Sequence, residues 1–242
     1  MTAPALTLCD EADARPDLAH RSETKFVFPR GDVRALRAVL RRAATPIRYA
    51  GSVSVVRSVY FDDCRLGSCH ANLDGLGARQ KLRVRWYDAE SPARDAWLEV
   101  KWRRDLATGK RRFRIPAAAA LFSQPLREWP GRLRRAAPAA LQPALEKMHQ
   151  AVTVVEYRRE HFELGAARLT LDYDLRFYPL LGQRRCALRF GERLHGTALV
   201  ECKAPIGAAG LEHRLLRPLR ARPVRFSKYV TACQRLGLVA DA

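Results

Sequence analysis

The chain has 242 residues, 48% apolar and 29% charged, which is enough for one fairly large domain with a sizeable core and excludes a disordered tail. Lys and Arg number 44 against 25 Asp and Glu, a formal charge of +19 that calls for a polyanionic partner: nucleic acid, a phosphate-rich small molecule, inorganic polyphosphate or an acidic membrane surface. No run approaches the roughly 20 apolar residues of a membrane span. The six scattered cysteines, with no C-x-x-C pair, read as free thiols and exclude a secreted disulfide knot.

Residues 1–19 read as a loose acidic leader, with acids where a signal peptide needs a basic region, so a cytoplasmic protein is expected. Residues 20–240 then form a single domain. From Gly31 a helix is expected, capped by Asp32, with Val33, Leu36, Val39 and Leu40 inward and Arg34, Arg37, Arg41 and Arg42 on the wet face. Strand-like segments follow at 53–61, 81–87, 96–102, 110–115, 152–162, 168–177, 187–193 and 197–203. Between 116 and 150, Pro125, Pro130, Pro138 and Pro143 cut an Ala/Leu/Arg stretch into short helices. A closing helix is expected over 226–238, with Tyr229, Cys233 and Leu236 on one face. The fold class is mainly β, α+β, with helices packed outside an antiparallel sheet.

The alternation within the strands carries the functional signal. Lys81, Arg83 and Arg85 share one face of their segment, while Leu82, Val84 and Trp86 share the other. Glu99 and Lys101 fall together, as do Glu201 and Lys203, and near the start Arg21, Glu23 and Lys25. Arg168, Thr170 and Asp172 make another polar face. One such face is ordinary, charged side to water with weak cross-strand ion pairs, and that accounts in part for Lys110 and Arg112. Five suggest a closed barrel with a cationic interior, which repels itself unless an anion fills it. A phosphate chain suits guanidinium forks and lysine point charges, and the lone carboxylates suit a divalent ion. Arg57 could line that tunnel or make a rim salt bridge. Trp86 and Trp102 fall opposite the charges, so base stacking and nucleic-acid binding are disfavoured. There is no P-loop, no G-x-G-x-x-G and no H-E-x-x-H.

Taken in order, Arg21-x-Glu23-x-Lys25, Lys81-x-Arg83-x-Arg85-Trp-Tyr and Leu98-Glu99-Val100-Lys101 resemble the triphosphate tunnel metalloenzymes. Tyr157-x-Arg159-x-x-Phe162, Arg168-x-Thr170-x-Asp172, Glu201-x-Lys203 and Phe226-Ser227-Lys228-Tyr229 resemble, within them, the vacuolar-transporter-chaperone (VTC) polyphosphate polymerase domain. The resemblance implies a closed antiparallel β-barrel forming a tunnel open at both ends, in which the γ-phosphate of ATP passes to a growing inorganic polyphosphate chain with Mn²⁺ or Mg²⁺ bound. It implies Lys25, Arg83, Arg85, Lys101, Arg159 and Lys228 as catalytic phosphate ligands. Arg168, Lys203, Lys81, Arg57, Ser227 and Tyr229 are its further substrate contacts. Glu201 is its main metal carboxylate, with Glu23, Glu99 and Asp172 as secondary ones. Arg21 stands where the broader signature begins with Glu. A separate membrane protein would collect the product. Water as acceptor would make a triphosphatase, and no transfer at all a polyphosphate-binding subunit.

Overall fold

The computed structural model describes residues 6–10, 21–49, 51–88, 94–105, 107–205, 215–216, 219 and 221–240. The expected leader falls mostly outside these residues. Its described part contributes β1, Cys9–Asp10, which pairs with the later strand Ala107–Ile115.

The sheet is antiparallel throughout. Its strands are β2 (Arg21–Phe28), β3 (Thr45–Ile47), β4 (Ser54–Asp62), β5 (Arg79–Tyr87), β6 (Ala96–Arg104), β7 (Ala107–Ile115), β8 (Gln150–Leu164), β9 (Ala167–Pro179), β10 (Glu192–Leu194) and β11 (Ala198–Pro205). Their order is β1-β7-β6-β5-β4-β8-β9-β11-β2, with β10 on β9 and β3 on β8. The expected strand over 187–193 shrinks to β10. Phe190 takes a left-handed φ of 55°, which an extended chain cannot continue through.

The expected closed barrel is corrected: among the described residues no hydrogen bonds join the two ends of the sheet. The reason lies at the edges. The outer edge of β2 is taken by the segment before the last helix, through a Phe26–Pro223 bridge and Val224 N donating to Lys25 O. Proline has no N–H with which to extend that pairing. The outer edge of β7 is taken by β1. The sheet is therefore a curled wall whose free edges are capped by short segments, and side chains cross the gap: Lys101 of β6 reaches Glu23 of β2 at 3.0 Å.

Helices cover the outside, as expected. On one flank Leu82, Val84, Trp86, Leu98 and Phe113 pack under Trp129 and Leu133 of the helix Trp129–Ala136 and Leu145 of the helix Gln142–Lys147. On the other, Leu36 and Leu40 of α1 (Val33–Ala43) pack on Phe26, Phe162, Leu171 and Val200. Asp32 caps α1 through Arg34 N at 2.8 Å, as its position before the apolar repeat requires. Arg37, expected on the wet face, instead reaches Glu160 at 2.6 Å. Trp102 lies flat over Gly109, where a Cβ would sit 2.1 Å from the indole, so only glycine fits.

The inner face is not uniformly polar. Val56, Tyr60, Val155, Leu175, Phe177 and Leu199 pack against Tyr229, Val230 and Cys233 of the C-terminal helix (Lys228–Arg235) and Cys69 of α2 (Gly67–Leu73). Leu175 and Phe177 turn inward because Asp174 takes φ 55° and breaks the alternation after Asp172. This apolar plug occupies part of the inner face. The plug is tied down by Asp62, fully buried, which accepts from Ser68 N (2.8 Å), Cys69 N (2.9 Å) and Tyr229 Oη (2.7 Å). Asp62→Ala strands those donors and is expected to cost about 3 kcal/mol of stability in urea unfolding, since each unsatisfied buried group costs roughly 1–3.

Candidate functional site

The site follows from strand parity. Leu82, Val84 and Trp86 are fully or almost fully buried under the helices, which turns Lys81, Arg83 and Arg85 to the inside. Cross-strand register then aligns polar partners: Arg83 lies opposite Glu99, Lys81 opposite Lys101, Arg159 opposite Asp172, Glu201 opposite Lys25 and Lys203 opposite both Glu23 and Arg168.

Three ionic nodes result. In the first, Glu99, 2% exposed, takes Arg83 Nη2 at 2.6 Å and Lys110 Nζ at 2.7 Å, with Arg112 at 3.6 Å and Arg85 at 3.8 Å. Arg83 also donates to Tyr60 Oη (2.8 Å), and Arg85 to Ser58 Oγ (3.1 Å) and Tyr157 Oη (3.3 Å). Burial raises the Glu99 carboxyl's pKa, but Arg83, Arg85 and Lys110 outweigh it and hold the group ionised well below the usual range.

In the second node the fully buried Asp172 accepts a bidentate Arg159 (2.6 and 2.7 Å) and Lys228 (2.6 Å). Both cations also lie over the Tyr157 ring, at 5.1 and 4.7 Å from its centroid. In the third, Glu23 meets Lys25 (2.8 Å), Lys101 (3.0 Å) and Lys203 (4.0 Å), while Lys203 also holds Glu201 at 3.1 Å. Burial and the nearby Glu201 raise the Glu23 pKa, yet Lys25, Lys101 and Lys203 prevail and bring it down to about 2.

Lys81 stands apart. Its Nζ lies 2.8 Å from Ser227 Oγ, and Lys25 donates to the neighbouring Phe226 carbonyl at 3.2 Å. Burial, then the cations Lys25, Lys101, Arg83 and Arg79, push the Lys81 pKa down to about 7. Burial also pushes Lys110 down to about 8, against the pull of Glu99. Unfolded lysines hold their protons to about 10.4. Between pH 7 and 10 the unfolded chain therefore binds more protons, and the stability of the free protein rises with pH. Polyanion affinity moves the other way, because two ligands lose their charge. From pH 7 to 9 the thermal midpoint is expected to rise and tripolyphosphate binding, read by calorimetry, to weaken.

Arg57 and Tyr229 are not brought into this set. Arg57 lies on the opposite face of β4, 2.5 Å from Glu156. The Tyr229 ring stacks on Tyr60 at 4.9 Å, with its hydroxyl on Asp62. Lys110 and Arg112 are the residues that sequence reasoning undervalued: both converge on Glu99, and Arg112 stacks on Trp97 at 4.5 Å. Among the described residues of this set, the cations Lys25, Lys81, Arg83, Arg85, Lys101, Lys110, Arg112, Arg159, Arg168, Lys203 and Lys228 outnumber the carboxylates Glu23, Glu99, Asp172 and Glu201 by eleven to four, with Glu163 opposite Arg168 at the exposed end of β8.

Among the described residues no group of three or more His, Cys, Asp or Glu side chains converges to hold a metal ion. Glu99 and Asp172 are committed to guanidinium and ammonium partners. Glu23 and Glu201, whose ion pairs are with lysines, are two ionised hard-oxygen donors close enough to repel each other. That pair is too small for a resident protein cage. It fits a Mg²⁺-like ion that keeps waters and arrives with substrate phosphates.

Several solved structures superpose over most of this chain at low identity. A protein from Bacillus halodurans, named as a proposed adenylate cyclase, superposes with a TM-score of 0.50 at 12% identity, over 87% of this chain and 94% of that one. A conserved hypothetical protein from Pyrococcus furiosus gives 0.48 at 12%, over 86% and 99%. A second protein named as a proposed adenylate cyclase, from Vibrio parahaemolyticus, gives 0.47 at 12%, over 88% and 98%. At this identity the likeness concerns the fold alone. No curated protein matches the chain significantly. The family model described as VTC domain matches residues 20–237, nearly the whole of the curled sheet and its C-terminal helix. The chain belongs to the VTC domain family.

Proposed function

We propose that this chain is a metal-dependent phosphoryl transferase that moves the γ-phosphoryl group of ATP onto a growing inorganic polyphosphate chain held in the cationic channel. The observation that carries the reading is the surplus of cations over carboxylates among the described residues named above, eleven to four, ten of the cations standing on strands whose other face is apolar core and Lys228 on the C-terminal helix. Carboxylates at the centre of each node hold the cations in place without neutralising them. A run of phosphates supplies the missing charge.

Phosphoryl transfer asks mainly for positioning and for charge neutralisation. Arg83, Arg85 and Arg159 offer planar forks to the non-bridging oxygens of a triphosphate. Lys25 on β2, Lys101 on β6 and Lys228 at the start of the C-terminal helix add point charges, and Lys110, Arg112, Arg168 and Lys203 extend the track that a chain would follow. Tyr60 and Tyr157 fix the guanidiniums through their hydroxyls. Glu201, with Glu23, would hold Mn²⁺ or Mg²⁺, which supplies neutralisation of charge on the bridging and leaving oxygens.

The test is a mass balance on the purified chain with ATP, Mn²⁺ and a short polyphosphate acceptor. Each ADP released is expected to be matched by one phosphate in acid-precipitable chains. ADP matched by free orthophosphate would replace the transferase with a hydrolase. Binding with no ADP in either metal would leave a polyphosphate-binding subunit.

A further inference from the structure

A chain that grows by adding phosphoryl groups to its end needs a first acceptor, and the channel wall carries a hydroxyl placed for that role. Ser227 caps the C-terminal helix, with Oγ 3.4 Å from Val230 N, and is half-buried beside Lys228. The Lys81 Nζ lies 2.8 Å from that Oγ although 146 residues separate the two in sequence. An amine crowded by other cations and touching a hydroxyl is the arrangement of a base and its nucleophile. The groups around Lys81 are Lys25 on β2, Lys101 on β6, and Arg79 and Arg83 on its own strand. Cys69 on α2 is also near, and Asp62 beyond it is occupied by Ser68 N, Cys69 N and Tyr229 Oη. Burial and the cations hold the Lys81 amine down to about 7, so part of the population carries it unprotonated at neutral pH.

We propose that Ser227 is itself a phosphoryl acceptor: its Oγ attacks the γ-phosphorus of a nucleoside triphosphate in the channel, and the phosphoserine formed is the first unit from which a chain grows. One Oγ–P bond forms and the bond from the γ-phosphorus to the β,γ-bridging oxygen breaks. The nucleoside diphosphate leaves with that electron pair, and the Lys81 amine takes the hydroxyl proton. The new phosphate would sit at a helix N-terminus among Lys25, Lys81 and Lys228, where its charge is stabilised. The inference rests on the proposed function for its donor.

The experiment incubates the full chain with ATP and Mn²⁺ and no added acceptor, then measures three things in one sample: intact and peptide mass, ADP, and polyphosphate. A gain of one phosphoryl group or more on the peptide bearing Ser227 is expected. Ser227→Ala should carry none, and Ser227→Thr, which keeps a hydroxyl and a cap, should keep it. Lys81→Met should lower labelling by about 10²-fold, the usual contribution of a positioned base. Labelling at saturating ATP should rise with pH through 7 as Lys81 loses its proton. ADP and polyphosphate accumulating over an unmodified Ser227 would overturn the inference and leave the transferase standing. A labelled Ser227 without polymer would support the inference and remove the polymerase. Neither ADP nor label would overturn both.

Discussion

Arg83→Ala is expected to reduce chain synthesis by about 10³-fold, the loss of one preorganised charge-stabilising group being worth roughly 10²–10³ and an arginine at a transferring phosphoryl group up to more. Arg83 is the busiest cation of the channel, bound at once to Glu99 and Tyr60. Its removal does two things. A planar fork for phosphate oxygens disappears, and Glu99 loses its guanidinium partner at 2.6 Å while keeping Lys110 at 2.7 Å, so more of its negative charge faces the incoming polyanion. Both effects fall on substrate and transition state. The prediction is checked by steady-state ADP release, with tripolyphosphate affinity measured alongside. Arg83→Lys should recover little, because a point charge cannot span two oxygens or reach both Glu99 and Tyr60. Unchanged activity together with unchanged tripolyphosphate affinity would show that Arg83 lies off the phosphate track.

Glu201→Gln should cost a similar factor, about 10²–10³, for a different reason. Glu201 is ionised well below the usual range. Burial opposes this, but Lys203, Arg159, Lys25 and Lys228 outweigh it. Of the four carboxylates in the nodes, Glu201 and Glu23 are the two whose ion pairs are with lysines. The amide keeps the size and the contact to Lys203 while removing the charge. Turnover should therefore fall and lose its response to Mn²⁺, whereas polyphosphate binding in chelator should hold or tighten, one negative charge having gone from the channel. That split between activity and binding separates a metal role from simple charge loss. A variant that retains its full metal response would move the ion elsewhere.

The legible part of this molecule was the part where the two faces of a strand differ in kind. On β5, Lys81, Arg83 and Arg85 alternate with Leu82, Val84 and Trp86, and the structure keeps that split without exception. The Glu-x-Lys pairs of β6 and β11 behave in the same way. Where both faces look alike, parity fails. On β4, Val55, Val56, Val59, Tyr60 and Phe61 leave no polar face to follow, and Arg57 sits with Val59 and Phe61 instead of Ser58 and Tyr60. On β7, Lys110, Arg111, Arg112 and Arg114 put cations on both sides, so composition alone gives no reason to turn Lys110 and Arg112 inward. Only their shared partner, Glu99, settles it.

Other features are properties of long-range geometry. The left-handed Asp174 flips the alternation of β9 and sends Leu175 and Phe177 into the plug. The open seam depends on Pro223 lying along β2, nearly 200 residues away in sequence. Tyr229, adjacent to Lys228, turns to Asp62 because successive residues on a helix point in different directions. The Lys81–Ser227 contact has no local signal at all, since neither residue type is unusual in its own segment.

A polymerase must leave phosphoryl groups from ATP in a chain. The most direct measurement supplies ATP labelled at the γ-phosphate, with Mn²⁺ and purified protein, and resolves the products by length on a gel. Wild type is expected to build labelled chains that lengthen with time, Glu201→Gln to build none, and ATP labelled at the α-phosphate to leave the chains dark. Label recovered only as orthophosphate, or left entirely in ATP while the protein binds polyphosphate in the presence of chelator, would contradict a polymerase.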